Sequence, residues 1–166
     1  MENVIAYFVS TLMGVIIGTL INITVNRFGE KKRFKKKKKY FKDEIELNIS
    51  KIDEWLGGIE EYRNYTSSNT LELFNYYFDL KSFLSNAALL LFKTGEIYDV
   101  LSNEDIKDYQ IVAQECTINW ENILNEEVSK NKKNFDQKET IQNVMFWKQK
   151  FENHKKTLQR IYSNIK

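Results

Sequence analysis

The sequence predicts an all-α fold, and three observations support this. The 166 residues contain no Pro and only six Gly, whereas sandwiches and barrels need frequent turn residues. From residue 41 onward, apolar residues recur at spacings of three and four, as on one face of a helix. Before them lies an uncharged stretch and then a strongly basic one. We therefore predict an N-terminal transmembrane helix (residues 1–26), a basic collar (27–42) and a helical bundle (43–166).

The first predicted element is a membrane-spanning helix. Val4–Val25 is a run of 22 residues without a charged side chain, and as a helix it measures about 33 Å, enough for a bilayer core. A cleaved signal peptide carries its positive charge before the apolar run, whereas here the lysines follow it. The alternative, a buried helix of a soluble domain, seldom stays uncharged for so long. An uncleaved anchor is the better interpretation.

The collar fixes the expected orientation of this anchor. Residues 27–42 hold ten basic side chains and one acid, Glu30, whereas the chain after residue 42 holds 15 basic and 21 acidic ones. The positive-inside rule then places the N-terminus outside and the bundle in the cytoplasm. Polybasic segments at this position contact anionic headgroups, although a run of lysines also suits RNA or another polyanion. The expected headgroup contacts are Arg27, Lys31, Lys32, Arg33, Lys35, Lys36, Lys37, Lys38 and Lys39.

One face of the predicted span is small and polar. Ser10, Gly14, Gly18 and Asn22 follow each other at intervals of four, so they share a face; Thr11, Thr19 and Asn26 flank them. In lipid, small residues allow close helix packing and amides bond between helices, so this face should meet protein or water. Self-association is expected, either as a tight dimer or as a ring of at least about four or five helices around a passage.

Four helices are predicted after the span, with short turns between them. Apolar spacing and capping signals set their bounds. The first runs through the collar to about Ile59, and the second runs from Asn69 to Gly95. The third begins at Ser102, with Asp105 in capping-box register, and is expected to turn Trp120, Ile123 and Val128 inward. The fourth carries an apolar stripe at Val144, Trp147, Phe151, His154, Leu158, Ile161 and Ile165.

The composition excludes most catalytic chemistry. The chain has one Cys and one His, too few for an internal disulfide or a four-ligand zinc site. Glycine-rich phosphate loops and nucleophile-elbow motifs are also missing from the sequence. Cys116 falls on the apolar stripe of the third predicted helix, as a core residue would. We predict no cofactor, no metal and no enzymatic activity.

His154 is the one residue that invites a catalytic interpretation. It lies on the core stripe of the last helix, where an imidazole needs partners for both nitrogens or a function. With Lys148 or Gln149 upstream and Asn153 beside it, the segment resembles the HEPN ribonuclease signature, in which an Arg precedes a His by four to six intervening residues. Lys148 keeps the charge but not the bidentate geometry of that Arg. Three alternatives stay open: a core or interface histidine, a HEPN-like remnant used for structure or ligand contact, and an active nuclease.

The whole organisation resembles the small membrane accessory proteins of type VI-B CRISPR systems. That resemblance implies a homo-oligomeric pore of more than two copies in the bacterial inner membrane, which enhances RNA-guided antiviral defence by depolarising the cell. It also implies that Ser10, Thr11, Gly14, Gly18 and Asn22 face the conduit and that Lys148, Asn153 and His154 belong to a HEPN-like segment. The expected partners are membrane lipid, copies of the chain, and RNA or an RNA-guided effector at the collar. A non-conducting membrane adapter and a membrane-tethered ribonuclease are the alternatives.

Overall fold

The computed structural model describes the backbone of residues 2–165 and the side chains of residues 13 and 15–165. The described residues form six α-helices and no strand, which confirms the all-α prediction. The chain divides into two compact units, of which the first ends at Lys39 and the second begins at Tyr40. The four-helix, HEPN-like arrangement stays a prediction.

Helix α1 (Glu2–Ser67) contributes to both units. It continues through Gly29, whose surroundings are open, and it passes the predicted end at Ile59. The extension has a packing reason: Ile59 and Tyr62 are completely buried on the face that starts at Phe41. The helix ends before Asn69, which has a left-handed backbone (φ 59°).

The predicted helix from Asn69 to Gly95 is wrong over most of its length. The structure has two 3-10 turns, Leu71–Leu73 and Leu80–Ser82, and a helix only from Asn86. Side chains from other helices form hydrogen bonds with backbone N–H and C=O groups of this segment. The Asn48 amide on α1 donates to Leu84 O (2.7 Å) and accepts from Leu84 N (2.8 Å), and Asn125 does the same for Phe78. Because distant amides supply these hydrogen bonds, the segment needs no helical ladder of its own.

Five further helices complete the second unit. Two predicted caps are confirmed: Gly95 ends α2 with φ 73°, and the Ser102 hydroxyl accepts from Asp105 N at 3.1 Å at the start of α4. The helices are α2 (Asn86–Thr94), α3 (Ile97–Val100), α4 (Asn103–Glu115), α5 (Ile118–Lys133) and α6 (Gln137–Asn164).

The predicted third helix is interrupted at Cys116 and Thr117, between α4 and α5. The interruption moves the buried stripe by one residue. Glu121 and Leu124 are completely buried, whereas Ile123, which was expected to face inward, is 49% exposed. Glu121 is therefore buried at the place where the apolar pattern predicts that Trp120 is buried.

The final helix agrees with its apolar spacing. Val144, Trp147, Phe151, Leu158 and Ile161 are all buried. The ring of Phe151 lies 5.5 Å from that of Trp55 on α1. Helices α1 and α6 therefore share the core of the second unit.

Candidate functional site: an exposed helix and a buried histidine

The N-terminal part of α1 exposes a continuous set of apolar side chains. From residue 15 to residue 33 every side chain is exposed. Large apolar groups are normally buried, so a continuous exposed set marks a surface for a partner or a membrane. Its large members in residues 13–28 are Met13, Val15, Ile16, Ile17, Leu20, Ile21, Ile23, Val25 and Phe28, with exposed fractions from 44% to 71%.

The polar side chains of this stretch are bonded mainly within the helix. Thr19 donates to Val15 O at 2.8 Å and Thr24 to Leu20 O at 2.7 Å. Such i−4 bonds satisfy a hydroxyl donor without any partner. The Asn26 amide donates to Asn22 Oδ1 at 3.2 Å, which leaves each amide with further donors and acceptors to satisfy.

Part of the predicted polar face lies outside the described side chains. The side chains of Ser10 and Thr11, together with residue Gly14, belong to this part. An added Cβ at Gly18 would meet nothing within 4 Å, so this face has room for a close neighbour. In the part of the chain that the structure describes, none of the helices combines the length and apolar character needed to cross a bilayer.

The collar residues of the first unit lie on an uninterrupted helix. Successive residues turn by about 100°, so Lys35–Lys39 project in all directions around the axis. Lys42 differs from them, because its Nζ lies 4.5 Å from the ring centre of Tyr162 in the second unit.

His154 lies in a small ionic cluster of the second unit. Glu115, the last residue of α4, lies between two basic side chains of α6: its Oε1 is 2.9 Å from Lys150 Nζ, and its Oε2 is 3.0 Å from His154 Nε2. The second contact lacks the geometry of a hydrogen bond, and within the described chain the buried Nε2 has no hydrogen-bond partner. Burial lowers the pKa of His154; the Glu115 carboxylate opposes this effect and Lys150 adds to it. The imidazole is therefore neutral at neutral pH.

Two aromatic rings cover the Lys150 ammonium. Its Nζ lies 3.7 Å from the ring centre of Trp120 and 5.9 Å from that of Phe146. The side chain is only 11% exposed. An ammonium that is both ion-paired and in contact with aromatic faces is well held, so Lys150 fixes the carboxylate that faces His154.

The structure does not bring the predicted HEPN-like residues together. Lys148 forms an ion pair with Glu60 on α1, and Asn153 is exposed. Gln149 lines a groove of about 530 Å³ with Arg63 and Met145. His154 itself is 7% exposed and faces Glu115 rather than Lys148.

Cys116 is buried, as its place on the apolar stripe predicts. Burial raises the pKa of its thiol to about 12, with a further increase from Glu115. A thiolate is the reactive form of cysteine, so the Cys116 side chain has low reactivity. Among the described residues, no three His, Cys, Asp or Glu side chains are placed to hold a metal ion.

Sequence reasoning missed the polar residues that organise the interior. Glu44 accepts from the N–H groups of Ala87 and Ala88 at the start of α2, at 2.8 and 3.1 Å. Glu121 accepts from Tyr77 Oη at 2.6 Å and Lys81 N at 2.9 Å. A signal was present for Glu44, because it lies three residues after Phe41 on the buried stripe of α1.

Comparisons with family models, curated proteins and solved structures found no match to this chain. The resemblance to the accessory proteins of type VI-B CRISPR systems therefore rests on the organisation of the sequence and on the segment from Lys148 to His154.

Proposed function

We propose that this chain is a membrane-anchored homo-oligomer whose N-terminal helices surround a passage in the bacterial inner membrane. In this proposal it acts as a permeability effector, and by depolarising the membrane it strengthens RNA-guided antiviral defence of the type VI CRISPR class. The observation that carries the proposal is the uncovered apolar helix followed directly by the collar.

The energetic argument concerns the exposed apolar side chains. Moving one such side chain from water into an apolar surrounding is worth about 1.5–3 kcal/mol when burial is complete. Nine large apolar side chains of residues 13–28 are exposed, and the sequence continues this character back to Val4. Lipid is the surrounding that can cover every side of a single helix, whereas a protein partner covers one face.

The polar stripe supports a passage in preference to a lone anchor. Thr19 and Thr24 satisfy their hydroxyl donors within the helix, so lipid tolerates them. Asn22 and Asn26 keep unsatisfied amide groups after their mutual bond. Unsatisfied amides are costly in hydrocarbon, and a ring of helices with a water-filled interior removes that cost.

Purified full-length protein in proteoliposomes tests the proposal. We expect dye or ion leakage from wild type, and strongly reduced leakage from Asn22→Leu because an isobutyl group makes the lumen apolar. Ile16→Leu, on the opposite face, is the matched control and should leak as wild type does. The mass of the detergent-solubilised particle should correspond to at least about four copies.

Other results would favour the alternatives. A particle of one or two copies without leakage contradicts the pore, and with a stoichiometric cytoplasmic partner it identifies an adapter. RNA cleavage that His154→Ala abolishes without loss of the fold identifies a ribonuclease. In cells, a potential-sensitive dye should report depolarisation when the RNA-guided system meets its target, and Asn22→Leu should suppress it.

A further inference from the structure

We propose that the passage selects small anions and that Arg33 is the residue that sets this preference. This inference rests on the proposed function, because it uses the ring of α1 helices and names the class of ion that passes through it. The juxtaposition that carries the inference is the position of Arg33 on the same face of one unbroken helix as Asn22 and Gly29.

The amides of the polar face do not choose the sign of the ion. Asn22 and Asn26 share one hydrogen bond of 3.2 Å and keep further amide groups. Because an amide has both N–H donors and a carbonyl acceptor, it replaces water around a cation as well as around an anion. The sign of the transported ion therefore depends on the charged side chains near the passage.

Arg33 is the charged side chain that shares the polar face. Helix α1 is unbroken from Asn22 to Arg33, and each residue turns by about 100° around its axis. Arg33 follows Asn22 by eleven residues and so returns to within about 20° of the same direction. Gly29 lies about 20° to the other side, and it has no side chain that would cover the approach to Arg33.

The other charged residues of this turn offset each other or point away. Glu30 and Lys32 lie about 80° to either side of the direction of Asn22, so their opposite charges nearly cancel at the passage. Arg27 and Lys31 lie about 140° and 180° away from that direction and face the lipid headgroups. The net charge at the mouth of the passage therefore has the sign of Arg33.

Arg33 is available to ions at the cytoplasmic mouth. Its side chain is exposed, and among the described residues it has no ion-pair partner. It lies about 9 Å along the axis beyond Arg27, at the outer edge of a headgroup layer that is roughly 5–8 Å thick. Lys36 is the next basic residue near this direction, but it already has an interaction partner.

A ring of such side chains favours anions over cations. At least about four helices surround a passage, so at least about four guanidinium groups surround its mouth. The Debye length is about 8 Å at physiological salt, and their positive potential extends over that distance. Charged clefts reach potentials of several kT. A potential of about one kT already raises the local chloride concentration about threefold and lowers that of potassium by the same factor, a preference of roughly sevenfold.

Anion passage is consistent with depolarisation. The membrane potential is negative inside, so it drives anions out of the cell through an open passage. Each departing anion removes negative charge from the cytoplasm and reduces the potential. The class of ion that we infer comprises chloride, phosphate and small carboxylates.

Planar bilayers of phosphatidylcholine measure this preference, because the lipid has no net charge of its own. With purified full-length protein and a potassium chloride gradient of about tenfold, the reversal potential gives the ratio of chloride to potassium permeability. Wild type should favour chloride by at least about fivefold. In about 1 M salt, where the Debye length is about 3 Å, the ratio should fall toward equality.

Variants at Arg33 test the assignment of the residue. Arg33→Gln should lower the permeability ratio at least about threefold, and Arg33→Glu should reverse the preference in favour of potassium. Arg33→Lys keeps the charge and should keep the preference for chloride. The matched control is Lys31→Gln, which removes one positive charge per copy from the opposite side of the helix and should leave the ratio as in wild type.

The outcomes separate this inference from the proposed function. If wild type conducts but favours potassium, or if Arg33→Gln has the wild-type ratio, the passage stands and the inference is wrong. If Arg33→Gln and Lys31→Gln lose the preference equally, total surface charge is responsible and Arg33 has no special role. If wild type carries no current, the proposed function fails and the inference fails with it.

Discussion

Asn48→Ala tests whether distant side chains hold the segment between α1 and α2. Asn48 is completely buried, and its amide both donates to Leu84 O and accepts from Leu84 N. Alanine removes both bonds. The Leu84 carbonyl oxygen still accepts a hydrogen bond from the Tyr109 hydroxyl at 3.4 Å, but the Leu84 N–H loses its side-chain acceptor.

The expected loss of stability follows from the two hydrogen bonds that alanine removes. A partly buried N–H without an acceptor costs about 1–3 kcal/mol, and the lost amide–carbonyl bond contributes about 1 kcal/mol more. We therefore expect the free energy of unfolding to fall by about 2–4 kcal/mol, a change of roughly 30- to 1,000-fold in the folding equilibrium.

Urea denaturation in mild detergent, followed by tryptophan fluorescence, measures this change. All three tryptophans, Trp55, Trp120 and Trp147, lie in the second unit, so the signal reports the unfolding of that unit. Asn64→Ala is the matched control, because Asn64 is exposed on the same helix and should change stability by less than about 0.5 kcal/mol. Equal midpoints for the two variants would refute the argument that Asn48 holds this segment.

Three further predictions use the same stability assay or thiol labelling. Gly57→Ala should stabilise the protein by about 0.5–1 kcal/mol through helix propensity, since the surroundings of Gly57 are open. Gly58→Ala should destabilise the protein, because the new Cβ would lie 2.5 Å from the Tyr76 ring. A change of stability with the same sign in both variants would contradict this prediction. Burial lowers the pKa of His154, so the unfolded chain takes up that proton first, and stability should fall as pH drops from about 7 to 5. His154→Gln should show a weaker dependence over that range, and identical pH profiles would count against it. Because burial raises the pKa of Cys116 to about 12, a disulfide reagent at pH 8 should label it only after urea unfolding, and rapid labelling of native protein would disprove this.

Local patterns in the sequence were enough for the class of fold and for several helix ends. The absence of Pro, the three-and-four spacing of α6 and the caps at Gly95 and Ser102 depend on residues within one or two turns of each other. The same local information placed Cys116 and His154 in the interior, since both lie on apolar stripes.

Other features depended on contacts between residues far apart in the sequence. Nothing local to Asn69–Ser85 shows that Asn48 and Asn125 hydrogen-bond its backbone, across 36 and 47 residues. The break after Glu115 rotates the next helix and exchanges Trp120 for Glu121 in the buried stripe. A pattern search chooses the apolar residue there, because it cannot know that Tyr77 and Lys81 will satisfy the carboxylate.

The all-α class, the uncharged N-terminal stretch, the charge of the collar and the interior position of the single histidine all follow from the amino-acid sequence alone. In contrast, the packing of the helices is needed to show that His154 faces Glu115 and that Lys148 pairs with Glu60. The physical reason is that helix formation and burial follow from neighbours within a turn, whereas the partner of a buried polar group depends on which helix packs against it.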